Sequence, residues 1–230
     1  REMFDQPLDI RAAGSFRPTA DARPSDGGYL IGGRWNYVSG SDHANWLVLN
    51  CNIVGDSGPV FDSQGGPVTR VMIVPRSVAM VEKTWHTLGM RGTGSNDVVI
   101  EEAFVPNEHT CLLYETAATD GPLYEPRTVT ATGWTPFAAM GLGIARGAMD
   151  TFVRLATSSG STTSPTLIRD RMAVQTVVGE TEAIISGARA YALDAVGEMW
   201  ESASRGDLDP GPQLLQARLA ITHAVRESVR

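Results

Sequence analysis

The amino-acid sequence predicts an α+β fold: an antiparallel β-barrel or sandwich over residues 1–115, then an up-and-down helical bundle over residues 116–230. Three observations carry that expectation. Up to about residue 113 the apolar runs are short, rich in β-branched residues and separated by Gly, Pro, Asp and Asn clusters. From Thr132 onward apolar residues recur at spacings of three and four, the period of one helix face. Strands and helices are therefore segregated along the chain, without the alternating βα units of a doubly wound sheet.

The expected strands centre on Gly28-Tyr29-Leu30-Ile31, Trp46-Leu47-Val48-Leu49, Val68 to Val74 and Val98-Val99-Ile100. Asp26-Gly27-Gly28 is a turn signal, and Asp56-Ser57-Gly58-Pro59 with Ser63-Gln64-Gly65-Gly66 marks an exposed loop. In the first helix Ala138, Ala139, Leu142, Ala145, Ala148, Met149, Phe152 and Leu155 form one apolar face. Gly141, Gly143 and Gly147 beside it mark either a tight interface or loose packing. Thr157 to Ser164 reads as a loop. A long second helix carries the stripe Val174, Val177, Val178, Thr181, Ile184, Ala188, Tyr191, Ala195 and Met199 up to stop signals at Gly206 and Pro210, and a third helix begins near Gln213.

Composition narrows the function. A chain of 230 residues with 42% hydrophobic content has enough material for a sizeable core. With 19 basic against 26 acidic residues, net charge −7 and no Lys/Arg run, nucleic acid is not an expected partner. No apolar run reaches the ~20 residues of a membrane span and no signal pattern opens the chain, so a cytoplasmic location is expected. Cys51 and Cys111 read as reduced core thiols, since two cysteines make neither a disulfide scaffold nor a metal site. The chain opens on Arg1 without Met and closes on Arg230 inside a helical pattern, so both ends read as cut.

Several chemistries have no starting motif. No Gly-x-Gly-x-x-Gly follows a strand, Arg91-Gly92-Thr93-Gly94-Ser95 lacks the Lys-Ser/Thr ending of a P-loop, and neither a Gly-x-Ser-x-Gly elbow nor metal-ligand spacing occurs. Four polar clusters remain. Ala13-Gly14-Ser15-Phe16-Arg17-Pro18 is loop-like, with a hydroxyl, an aromatic ring and a guanidinium close together. Gly33 to Trp46 packs Trp35, Tyr37, Ser39, Ser41, His43 and Trp46 into one stretch, rings for a flat ligand and donors for its edge. Trp85 to Asp97 is either an anion-binding run of open backbone N–H groups beside Arg91 or a plain hairpin turn. Glu108-His109 ends a strand and takes no assigned role. His43, beside Asp42 and flanked by aromatics, is a candidate proton acceptor, with a structural imidazole as the other reading; His86 and His223 read as packing or solvent-facing.

Gly28-Tyr29-Leu30-Ile31-Gly32-Gly33-Arg34-Trp35, Ser39-Gly40-Ser41-Asp42-His43-Ala44, Leu88-Gly89-Met90-Arg91-Gly92-Thr93-Gly94-Ser95-Asn96-Asp97 and Phe104-Val105-Pro106, in that order, resemble the acyl-CoA dehydrogenase superfamily. The resemblance covers almost the whole chain. It implies a middle β-barrel with flavin and substrate loops over residues 1–115 and an incomplete C-terminal bundle over 116–230, with the N-terminal helical domain absent from this chain. Dehydrogenases of the superfamily carry Trp-Ile-Thr-Asn where Tyr37-Val38-Ser39-Gly40 stands, and their Arg-x-x-Phe-Gly does not precede Gln175, where Ile168-Arg169-Asp170-Arg171 is found.

The Ser-Gly-Ser-Asp-His version is similar to the oxygenase components of two-component flavin monooxygenases that hydroxylate phenols. That likeness implies reduced FMN or FAD from a separate flavin reductase, O2, a small aromatic substrate, a homotetramer, and oxygen transfer through a flavin C4a-hydroperoxide. It also implies that Ser39 meets the flavin near its reactive nitrogen, that Trp35 and Tyr37 shape the pocket, and that Ser15 lines it. Arg91, Gly92, Thr93, Gly94 and Ser95 would approach the ribityl or phosphate portion, across a subunit boundary, and His43 would assist deprotonation of the phenol. The competing expectations are an acyl-CoA dehydrogenase with tightly held FAD and a non-catalytic fragment that oligomerises through its bundle.

Overall fold

The structure is a computed structural model that describes residues 9–113, 121–161, 164–206 and 210–230. The chain divides into two compact units, Arg1–Leu113 and Tyr114–Arg230. The first holds strands β1 (Ala12–Ser25), β2 (Gly28–Val38), β3 (Trp46–Gly55), β4 (Gly58–Pro59), β5 (Thr69–Pro75), β6 (Met80–Glu82), β7 (Asn96–Pro106) and β8 (Thr110–Cys111). They form one sheet in the order β6-β7-β2-β1-β3-β5-β8, with β4 pairing β3 off that path. The sheet has edges at β6 and β8 and does not close, so the expected barrel is replaced by an open curved sheet. It is also mixed: β1 and β3 run parallel, from Ala12 opposite Trp46 to Ala22 opposite Ile53, and the other pairs are antiparallel.

Two strand features explain how the sheet bends. In β2 the buried residues are Gly28, Ile31, Trp35 and Val38, at intervals of three and four instead of two. The register against β7 shifts twice: between Ile31 and Gly33 the extra residue lies in β7, and between Trp35 and Val38 it lies in β2, re-aiming the next side chain inward. Gly33 lies at φ 140° and Tyr37 at φ 59° at these shifts. The hexad Ala13 to Pro18, expected as a loop, lies inside β1, where pairing with β3 is interrupted between Ser15 and Ala20. The interruption accommodates Pro18, which has no N–H for a ladder. Asn50 and Asn52 of β3 donate side-chain N–H groups to the freed carbonyls of Phe16 (3.1 Å) and Pro18 (3.0 Å), so the backbone stays satisfied.

The core of this unit joins Ile31, Trp35, Val38, Leu47, Leu49, Met72, Val98 and Ile100. Cys51 is part of it, whereas Cys111 is exposed, so only one of the two thiols is a core residue.

The second unit holds α1 (Pro126–Ser158), strands β9 (Gly160–Ser161) and β10 (Ser164–Leu167), α2 (Met172–Arg205) and α3 (Pro210–Glu227). Of the stretch Thr157 to Ser164 expected as a loop, Thr157 and Ser158 end α1, while Gly160, Ser161 and Ser164 belong to the two-stranded ribbon; residues 162–163 lie outside the described residues. The buried face of α1 includes Ala138, Leu142 and Met149, and that of α2 includes Ile185, Ala188, Ala192, Ala195 and Met199. Phe152, Leu155 and Val177, expected on those faces, are exposed. Gly206, at φ 73°, caps α2 by accepting the left-handed conformation and donating its N–H to Ala203. Among the three glycines of α1, Gly141 marks a close approach: a Cβ there would lie 2.6 Å from Ser228 Oγ of the segment after α3. Gly143 and Gly147 have open space. Among the described residues no helix is long and apolar enough to cross a membrane, and no group of His, Cys, Asp or Glu is arranged to hold a metal.

Candidate active site

Val38, at the end of β2, pairs with Asn96, at the start of β7. That one pairing brings the β2–β3 connection, with Ser39 to His43, against the β6–β7 connection, with Lys83 to Ser95. The first connection is a tight turn: Ser39 forms a backbone bridge to Gly14, and the N–H groups of His43 and Ala44 both donate to the Gly40 carbonyl (3.0 and 3.1 Å). The second contains a short 3-10 turn, Arg91–Thr93, bounded by Met90 and Gly94 in the left-handed conformation. Gly40 N–H donates to Thr93 O (2.8 Å), and Ser41 Oγ donates to Gly94 O (3.4 Å), lacing the two connections together.

Three hydroxyls line this seam. Ser39 Oγ lies 2.7 Å from Ser95 Oγ, Ser95 Oγ lies 2.7 Å from Thr93 Oγ1, and Thr93 Oγ1 donates to the Met90 carbonyl (2.9 Å). Ser39 at one end of the row is exposed, Ser95 in the middle is buried and Thr93 at the other end is half-buried. Tyr37 sets one flank: its ring is 62% exposed and meets Trp85 edge to face, with centroids 6.1 Å apart. Trp85 is held by its own Nε1–H, which donates to Met90 O (2.9 Å). Arg91 is exposed, and its guanidinium has no partner among the described residues; Gly92 beside it has open space where a side chain would stand.

The residues anticipated from the sequence divide into two sets. Tyr37, Ser39, Thr93, Gly94 and Ser95 come together, with Arg91 and Gly92 on the adjoining turn. Trp35 does not join them, because its side chain is wholly buried in the core and its Nε1–H donates to Asn50 O (2.8 Å). A ring without exposed surface supports the strand from beneath. Ser15 is likewise buried, and its hydroxyl donates to Asn36 O (3.1 Å), tying β1 to β2. His43 stands exposed on the turn after Ser39, and its ring makes no hydrogen bond among the described residues. The neighbouring Asp42 turns to other partners: its carboxylate pairs with Lys83 and accepts from Asn96 Nδ2 (3.4 Å).

Sequence reasoning missed the supports of the seam. Asn96 is buried and joins both connections, accepting from Trp85 N–H (3.2 Å) while donating to Asp42. Arg34 bridges Asp97 (2.6 Å) and Glu82, and Asn36 adds a bond to Asp97 (2.8 Å). Hydrogen bonds from Arg34 to Asp97 and then to Glu82 raise the guanidinium above its ordinary pKa. The alternation Arg34, Asn36 on one strand face was the available signal, since residues two apart on a strand share a face.

Residues 135–230 match the family model of the acyl-CoA dehydrogenase C-terminal domain. Across 226 residues, 98% of this chain, the sequence is 33% identical to an indole-3-acetate monooxygenase of Pseudomonas putida. Its C-terminal part thus resembles that of acyl-CoA dehydrogenases, and nearly the whole chain resembles a monooxygenase. It is also similar to the oxygenase subunit HsaA of a flavin-dependent monooxygenase of Rhodococcus jostii, 32% identical over 66% of this chain and 40% of the relative. Among solved structures, XiaF from a Streptomyces species, in complex with FADH2 and glycerol, superposes with a TM-score of 0.81 at 28% identity, covering 99% of this chain and 58% of that one. The chain spans 56% of the length of the Pseudomonas relative. XiaF and this chain therefore share a fold over the matched region.

Proposed function

We propose that this chain is part of the oxygenase component of a two-component flavin-dependent monooxygenase that hydroxylates a small aromatic, phenolic substrate. It takes reduced FMN or FAD from a separate flavin reductase, uses O2, and works as a cytoplasmic homotetramer. The observation that carries the reading is the surface-reaching hydroxyl row Ser39–Ser95–Thr93, flanked by an exposed tyrosine ring and an unpaired arginine.

The donor set fits a flavin. An isoalloxazine is flat with a polar edge, and its side chain ends in phosphate. Tyr37 offers exposed aromatic surface, Ser39 a hydroxyl for the ring edge, and Arg91 an uncommitted cation for the phosphate. Gly92 leaves the backbone of that turn open to close approach, and Thr93 and Gly94 hold its shape. When bound, reduced flavin supplies the activation of O2. The protein's part is orientation: the Gly14–Ser39 bridge and the Gly40–Thr93 bond fix where the Ser39 hydroxyl stands. Ser15 and Trp35 act behind the site by holding β1, β2 and β3 in register. His43, exposed and with a ring that makes no hydrogen bond among the described residues, is the imidazole on the same turn placed to accept the phenolic proton.

Anaerobic titration of the full-length protein with FMN and FAD in both redox states, followed by mixing with oxygen, tests the proposal. Preferential binding of the reduced form and oxygen-dependent hydroxylation of a phenol are expected. Tight oxidised FAD that is reduced by an acyl-CoA would replace the proposal with a dehydrogenase, and a folded protein that binds neither redox state would leave only an oligomerising role. In Ser39→Ala, hydrogen peroxide released per flavin oxidised should rise; unchanged coupling would remove Ser39 from the site.

A further inference from the structure

We propose that Thr93 and Ser95 are positioning residues that turn Ser39 into a hydrogen-bond acceptor and so make the site select reduced over oxidised flavin; the inference rests on the flavin site proposed above. The argument is a count of protons. Each hydroxyl carries one proton and two lone pairs, and a carbonyl carries none to donate. Thr93 Oγ1 lies 2.9 Å from the Met90 carbonyl, so a hydrogen bond there must use the Thr93 proton. The contact between Thr93 and Ser95 (2.7 Å) is then a bond only if Ser95 donates, and the contact between Ser95 and Ser39 (2.7 Å) only if Ser39 donates. All protons of the row point toward the Met90 carbonyl. Ser39 is left presenting lone pairs to the surface.

The opposite polarity is poorer by one bond. If Ser39 were to donate outward, Ser95 would have to donate to Ser39 and Thr93 to Ser95, leaving Thr93 and the Met90 carbonyl as two facing oxygens with no proton between them. Met90 O keeps its donors Trp85 Nε1 (2.9 Å) and Thr93 N–H (3.2 Å) in either polarity, so the bond lost is the one that Thr93 Oγ1 donates. The row is thus biased by the Met90 carbonyl toward accepting.

The two flavin states differ in the matching property. Reduced isoalloxazine carries hydrogen on N5 and donates there, whereas the oxidised ring has a bare N5 lone pair that requires a donor. An acceptor Ser39 complements the first and faces the second lone pair to lone pair. With a neutral hydrogen bond at about 1 kcal/mol, the preference contributed by the row is about fivefold.

The test compares dissociation constants of reduced and oxidised FMN, measured anaerobically on the full-length protein and on Thr93→Val, Thr93→Ser and Ser95→Ala. Thr93→Val keeps the side-chain shape but ends the relay, and Ser95→Ala cuts it; both should lower the oxidised-to-reduced ratio of dissociation constants by about fivefold. Thr93→Ser keeps the hydroxyl and should keep the ratio. The midpoint potential of bound flavin must move with the ratio, which separates a polarity effect from weaker binding of both states. A ratio unchanged in Thr93→Val and Ser95→Ala, with flavin still bound, overturns this inference and leaves the flavin site standing. A wild-type protein that binds neither state overturns both.

Discussion

Trp35→Phe separates a supporting tryptophan from a ligand-binding one. Trp35 is fully buried, and its indole N–H is the donor to the Asn50 carbonyl at 2.8 Å. Phenylalanine fills most of the volume but cannot donate, so a buried carbonyl loses a partner at a cost of about 1–3 kcal/mol. The space left by the missing part of the indole adds about 1 kcal/mol. The sum, roughly 2–4 kcal/mol, corresponds to roughly 30- to 1000-fold faster hydrogen exchange for amides that open with the unit. Native-state exchange of the backbone N–H groups of β3 (Trp46–Gly55), which pairs both β1 and β5, is the assay. Reduced-flavin affinity of the folded variant should stay within about twofold, because a side chain without exposed surface has no ligand contact to lose. An affinity drop in protein whose β3 exchange is unchanged would refute the reasoning and return Trp35 to the pocket.

Other perturbations test separate parts of the molecule. Iodoacetamide should modify exposed Cys111 in the native protein and spare buried Cys51. Burial, helped by the charge of Asp21, pushes the Cys51 thiol up to about 12 from 9.0. Its stabilising contribution is therefore complete below pH 9, where both states hold the proton, and is lost as pH rises toward 12, because the unfolded chain ionises first. Cys51→Val should flatten that alkaline decline in a urea-denaturation series. In the helical unit Arg146 bonds Glu182 of α2 (2.7 Å) and Asp150 of its own helix (3.0 Å), and the Arg146 bond, followed by one from Ser186, holds the Glu182 carboxyl below its ordinary pKa. A lowered carboxyl stabilises above its unfolded value and stops doing so as pH falls through its folded one, so the melting difference between wild type and Arg146→Gln should be present at neutral pH and vanish in acid. Gly33→Ala should cost about 1–3 kcal/mol from backbone conformation alone. Its new Cβ would also stand 2.5 Å from that of Ala20, so a thermal midpoint equal to wild type would contradict the described register shift.

What the sequence disclosed about the fold follows from which interactions are local. Helix faces are local, and Ala138, Leu142, Ala188, Ala195 and Met199 were legible as core positions because each is reinforced by neighbours three and four residues away. Their exposed companions Phe152, Leu155 and Val177 have the same pattern but no partner in the described part of the unit, which periodicity alone cannot reveal. Strand β1 was invisible for the opposite reason. Its sequence, with Gly14, Arg17, Pro18 and Pro24, has no strand signature, and it is held by pairing with β2 and β3 and by two asparagine side chains from β3. In β2 the register shifts at Gly33 and Tyr37 replace the two-residue alternation by intervals of three and four, so simple alternation could not separate buried Trp35 from exposed Tyr37.

The same shifts decide the site. Trp35 and Tyr37 are two residues apart, and on a regular strand they would share a face, so composition assigned both rings to one pocket. With Tyr37 in the left-handed conformation, one ring enters the core and the other stays on the surface against Trp85. Ser39 follows two residues later and is carried to the rim, where a residue 56 positions away supplies its nearest hydroxyl. Residue types could identify both serine-bearing segments, because hydroxyls, glycines and aromatics are dense there. Their meeting depends on the pairing of Val38 with Asn96, a long-range register that no local pattern encodes. The polarity of the hydroxyl row depends in turn on one carbonyl, that of Met90, turned toward Thr93 by a left-handed residue ahead of a three-residue turn. A substitution that lets Met90 relax to ordinary backbone would therefore change the chemistry offered by Ser39 without altering any of the three hydroxyls.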